Sequence, residues 1–79
     1  MTPADEFQAW LERRGCYSHS TIETWVRIAR RLVEACPGGV YPETPEDAAD
    51  LLAPETCVPH TRYNLRSGTR QFYEFLESR

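Results

Sequence analysis

Two kinds of side chain in this 79-residue chain could do chemistry: thiols and imidazoles in matched pairs, and arginines at helical spacing. Cys16-x-x-His19 and Cys57-x-x-His60 are two Cys-x2-His pairs, each just ahead of a segment with helical periodicity. Four such ligands could complete a tetrahedral zinc site if the two helix starts met in space. The spacing between the pairs matches no zinc-finger pattern, so the expectation is buried or half-buried thiols and two helix-entry histidines, with no metal and no cofactor. Arg62, Arg66 and Arg70 fall at i, i+4 and i+8 and form one basic stripe. Thr24, Arg27 and Arg31 project away from the apolar side of another helical segment. Guanidinium groups so placed could neutralise phosphates or grip guanine bidentately. Hydroxyls and free backbone N–H groups at helix starts would add phosphate contacts. The competing expectation is a plain solvated surface, with the arginines ion-paired to neighbours such as Glu23, Glu34 and Glu74. No Ser-His-Asp arrangement, Gly-rich phosphate loop or carboxylate dyad has the neighbours catalysis needs, so no enzymatic activity is expected.

The elements that must position these groups are helical. Phe7, Trp10 and Leu11 recur at helical spacing and Gly15 follows as a stop, which predicts a first helix over about Pro3 to Arg14. Asp5 and Glu6 at its start and the arginines at its end suit the helix dipole. A second helix runs to about Ala35; Ser20 with Glu23 has capping-box spacing, and Ser18 is a rival cap. Its apolar residues Ile22, Trp25, Val26, Ala29, Leu32, Val33 and Cys36 gather within an arc of roughly 120°. Pro37-Gly38-Gly39 ends it. Thr44 then caps a short acidic helix with Pro45 in its first position, reaching about Ala53. Pro54 stops that helix, a loop carries Cys57 and Pro59, and a fourth helix starts near His60 or Thr61. Leu65, Gly68, Thr69, Phe72, Phe75 and Leu76 share its inner face, with Gly68 where another helix approaches closely. No segment alternates with strand period, so the fold class is all-α.

Length and composition bound the rest. The chain makes one small domain over residues 1–79, which buries only about 60% of its unfolded surface. Its 41% hydrophobic content, with two Trp, three Phe and four Tyr, supports a packed core rather than disorder. Three cysteines cannot all pair within one chain, and neither a membrane span nor a basic-then-apolar leader is visible. A cytoplasmic protein, monomeric when alone and without membrane contact, is expected. The net charge of −3 argues against a generally basic nucleic-acid binder. Five of the twelve acids lie between Glu43 and Glu55, however, and the remainder of the chain carries nine arginines against seven acids. The chain is therefore electrically two-sided.

The order of these pieces resembles a known family. Phe7-x-x-Trp10-Leu11 with Gly15 is followed by Ser18-x-x-Thr21-x-x-x-Trp25 and Arg30-Arg31-Leu32. Then come Thr44-Pro45-Glu46-Asp47, Thr61, and Arg70-x-Phe72-Tyr73-x-Phe75-Leu76. Together they resemble the N-terminal core-binding, SAM-like domain of tyrosine recombinases and phage integrases, over about residues 5 to 77. Trp25 stands where the family has Tyr, and Gly68 and Thr69 where a small residue and Leu are common. The resemblance implies a four-helix SAM-like bundle of two crossing helix hairpins that clamps duplex DNA for recombination or integration by a separate catalytic domain, for which this chain has no room. By position it implies DNA contacts from His19, Ser20, Thr21, Thr24, Arg27 and Arg31 on the second helix. On the fourth it implies His60, Thr61, Arg62, Arg66 and Arg70. It also implies contacts with other recombinase subunits on DNA. The alternative expectation is a small helical protein-interaction module that binds no DNA and uses the acidic third helix or an aromatic surface.

Overall fold

Helix ends in this chain are written locally. The computed structural model describes residues 2–54 and 58–79, and within them four helices and no strand: α1 (Pro3–Arg14), α2 (His19–Ala35), α3 (Pro45–Leu52) and α4 (Pro59–Glu77). At the head of α1 the Thr2 hydroxyl accepts from the Asp5 backbone N–H at 3.2 Å, and the Asp5 carboxylate accepts from the Thr2 N–H at 3.3 Å. This reciprocal box satisfies two donors that the first helical turn leaves open. The Thr2 hydrogen bonds, with a smaller contribution from Arg30, hold the Asp5 carboxyl below its ordinary pKa. Gly15 ends α1 at φ +67°, a left-handed geometry that favours glycine.

Of the two candidate caps for α2, the chain uses Ser18. Its hydroxyl accepts from Thr21 N–H at 3.3 Å and donates to the Thr21 hydroxyl at 3.0 Å. Ser20 therefore lies inside the first turn, and Glu23, its expected box partner, meets His19 instead at 2.9 Å. Ser18→Ala should cost about 1 kcal/mol in urea denaturation, while Ser20→Ala should stay within about 0.5 kcal/mol. Equal losses would contradict this assignment. Thr44 caps α3 as expected, accepting from Asp47 N–H at 3.1 Å, and the helix stops at Leu52 with Ala53 as its C-terminal cap. Pro59 belongs to α4 rather than to the preceding loop: it takes the first helical position, where its missing N–H costs nothing.

Tertiary packing makes two helix hairpins. α1 packs on α2, α3 packs on α4, and the pairs join through an extensive α2–α4 contact. Fully buried Phe7, Leu11, Leu32, Leu65 and Phe72 form the centre. Phe7 meets Phe72 edge-on at 5.3 Å and Phe75 at 5.6 Å, which ties α1 to α4. Trp10 and Trp25 lie at the margin of this core, half-buried, with Trp25 edge-on to Tyr17 at 4.8 Å. Thr69 is buried, and its hydroxyl donates to the Leu65 carbonyl at 2.8 Å, so its polar group is satisfied. The Tyr73 hydroxyl donates to the Pro42 carbonyl at 2.6 Å, pinning the α2–α3 loop to α4. Burial is the main reason its phenol pKa is raised above its ordinary value. Tyr73 is thus a structural hydrogen-bond donor.

One residue outside the expected apolar arc of α2 is buried: Ile28, only 6% exposed. It faces Gly68, where an added Cβ would lie 2.9 Å from Ile28 Cδ1 and 3.3 Å from its Cβ. The close approach expected at Gly68 is therefore made by α2. Because α2 packs against both α1 and α4, its buried surface is wider than one stripe.

Candidate nucleic-acid interface

The α2–α4 contact leaves a shallow groove of about 150 Å³ on the outer surface. Thr24, Arg27 and Arg31 of α2 face Thr61 and Asn64 of α4 across a floor of Ile28 and Leu65. Four of the eleven expected site residues, Thr24, Arg27, Arg31 and Thr61, meet here although about 30 residues of chain separate Arg31 from Thr61. Asn64 is an addition. It sits one turn after Thr61, so the i+3 relation was available in the sequence; its amide lies 3.5 Å from His60 Nε2.

These groups are not equally available to a ligand. The Arg31 guanidinium donates to the Leu52 carbonyl at 3.0 Å, closing the C-terminal end of α3, so it is partly a structural tie. The Thr24 hydroxyl donates back to the Ser20 carbonyl at 3.0 Å. Thr21 is engaged in the Ser18 cap. Arg27 is different. Its natural i−4 partner, Glu23, is taken by His19, and no carboxylate among the described residues pairs with Arg27. Arg27 also borders a second groove of about 320 Å³ between α1 and α2, and His19 opens onto that one.

Arg62, Arg66 and Arg70 stand elsewhere. Thr61, Asn64 and Gly68 mark the side of α4 that meets α2, through the groove and through Ile28, and Gln71 on the same side accepts a 3.5 Å bond from the hydroxyl of Tyr17 in the α1–α2 loop. At about 100° per residue the arginine stripe is centred roughly 180° round the helix from that side. The expected single surface on α2 and α4 is thus two surfaces, one on each flank of α4. The stripe is exposed and has no ion pair among the described residues, since Glu74, which is i+4 from Arg70, pairs with Arg14 at 3.8 Å. The other paired arginines are Arg30 with Asp5 at 3.5 Å and Arg79 with Glu6 at 3.3 Å. Ion pairing to Glu23, Glu34 and Glu74 therefore does not account for Arg27, Arg62, Arg66 or Arg70 among the described residues.

The zinc geometry is not assembled by the described residues. Tyr17, two residues before His19, touches Gln71, whereas Thr61, next to His60, borders Arg27 and Arg31. Ten residues of α4, about 15 Å, separate those two positions. Cys57 lies outside the described residues. Cys16 is exposed with its thiol on the Arg14 carbonyl at 3.3 Å, and Cys36 is half-buried. No cluster of three or more metal-ligating side chains occurs among the described residues, and no helix there is long and apolar enough to cross a membrane.

No family model, curated protein or solved structure matches this chain.

Proposed function

We propose that this chain binds duplex DNA along the α2–α4 groove, as the clamping module of a tyrosine-type recombinase or integrase whose catalytic chemistry resides in a separate domain. The observation that carries the reading is the convergence of Thr24, Arg27, Arg31, Thr61 and Asn64 on one groove, with Arg27 free of any carboxylate partner among the described residues. Arginine and asparagine are the side chains that pair bidentately with guanine and adenine edges, while threonine hydroxyls suit phosphate oxygens. Four helices in two hairpins are the architecture that the resemblance implies for such a module.

Two guanidiniums in the groove predict modest affinity. With a slope of about −0.9 per neutralised phosphate, raising salt from 50 to 200 mM should weaken duplex binding about tenfold. Titration of labelled duplex at the two salt concentrations measures this directly. Arg27→Glu should reduce the affinity at least tenfold while leaving the helical circular-dichroism spectrum unchanged, because the side chain is exposed. Undiminished binding by this variant would remove the groove from consideration. Failure of the unaltered protein to bind duplex even at low salt would favour a protein-interaction module.

A further inference from the structure

The flank of α4 turned away from α2 carries a second, differently composed surface. Arg62, Arg66 and Arg70 climb it in steps of about 6 Å, one guanidinium per turn. Tyr63 stands beside them at i+3 and i+7 spacing to Arg66 and Arg70, which places all three on one exposed face. Tyr63 is 69% exposed, and its ring has no aromatic, cation or hydrogen-bond partner among the described residues. The other three tyrosines are tied down: Tyr17 on Trp25, Tyr41 on Phe72, and Tyr73 on the Pro42 carbonyl. No salt bridge engages the three arginines among the described residues, so the patch is a row of free cations with one free aromatic face among them.

We infer that this flank is a binding surface for single-stranded nucleic acid, with a base stacked on Tyr63 and the adjoining phosphates on Arg66 and Arg70. A positively charged track combined with an exposed aromatic ring is the arrangement that holds unpaired strands, because every unstacked base offers a π-face. A duplex keeps its base faces covered and could use only the arginines. An acidic peptide could also use the arginines but has no base to place on the tyrosine. The patch ends where Glu74 and Glu77 begin, so it accommodates a short stretch of strand. This goes beyond duplex binding in the groove and does not depend on it, since the two surfaces lie on opposite flanks of α4.

The test is fluorescence anisotropy of a short labelled oligothymidylate titrated with the whole chain at low salt. Binding is expected, weakened about tenfold by Tyr63→Ala, preserved by Tyr63→Phe, and eliminated by Arg66→Glu with Arg70→Glu. Arg27→Glu should leave it intact, and unlabelled duplex, which can use only the arginines, should displace the labelled oligonucleotide less effectively than unlabelled oligothymidylate does. No binding by the unaltered protein, full binding by Tyr63→Ala, or equal displacement by a polyglutamate peptide would each overturn the inference. Oligonucleotide binding without duplex binding would refute only the function proposed for the groove. Tyr63 and the arginines are exposed, and a helical spectrum for each variant confirms that folding is unaffected.

Discussion

Phe72→Ala is expected to remove about 3–5 kcal/mol of folding stability, the range for emptying a fully buried aromatic site. Phe72 has no exposed surface, and its ring meets Phe7 of α1 at 5.3 Å, Tyr41 of the α2–α3 loop at 5.6 Å, and Phe75 at 6.0 Å. The cavity would therefore open where α1, the α2–α3 loop and α4 meet. A domain of this length holds roughly 4–12 kcal/mol in total. The variant should be substantially unfolded at room temperature or melt at the first additions of urea, whereas Phe72→Leu, which retains most of the volume, should remain folded. Denaturation followed by far-ultraviolet circular dichroism measures both. A loss under about 1 kcal/mol for the alanine variant would show that the surrounding rings can collapse into the space.

The second large effect is expected at Gly68. Alanine there gains about 1 kcal/mol of helix propensity over glycine, which taken alone would stabilise α4. Its Cβ would meet three atoms of Ile28, Cδ1 at 2.9 Å, Cγ2 at 3.2 Å and Cβ at 3.3 Å. Cδ1 can rotate away, but Cβ moves only with the α2 backbone. Gly68→Ala should thus lose its propensity gain and come out near neutral or slightly destabilising. Gly68→Leu should cost about 3 kcal/mol, because α2 must separate from α4 to admit it. Trimming the opposing side chain tests the cause: Ile28→Ala should be less damaging in the Gly68→Ala background than in the unaltered chain, a favourable coupling in a double-mutant cycle. Since Ile28 also floors the α2–α4 groove, Gly68→Leu should weaken duplex binding under conditions where the variant is still folded. A leucine variant as stable as the parent would mean that α2 and α4 do not touch at this point.

Much of the architecture was legible because its determinants lie within a few residues of one another. Thr44-Pro45 and the stop at Gly15 act through hydrogen bonds and backbone angles of their own neighbourhood, and the helices begin or end there. The failures are instructive for the same reason. Ser18 and Ser20 are both competent caps, and capping-box spacing favoured Ser20. The choice fell to Ser18, with Glu23 drawn to His19. Ile28 lies outside the apolar arc of α2 because a single arc describes a helix with one neighbour, and α2 has neighbours on two sides. In the candidate site, the arginines and threonines were legible by type and period. Asn64 has the i+3 relation to Thr61, but nothing in its type singles it out inside a helix, and its relevance depends on what α2 places opposite it.

The sequence by itself determined that this chain is all-α, where its four helices run to within a residue or two, which side of α4 is apolar, and that its positive charge resides entirely in arginines. These follow from local capping, from propensity, and from a period that maps residue number onto angle around a helix axis. That map says where Arg62, Arg66 and Arg70 lie relative to Thr61 and Asn64, but not in which direction α2 lies. Only the tertiary structure decided that, through the notch at Gly68 that admits Ile28. The result is that Arg27 and Arg31 share a groove with Thr61, while the arginine stripe and Tyr63 face the other way. The physical reason is that helix pairing is set by shape complementarity between side chains far apart in the chain, a property no spacing within one helix encodes.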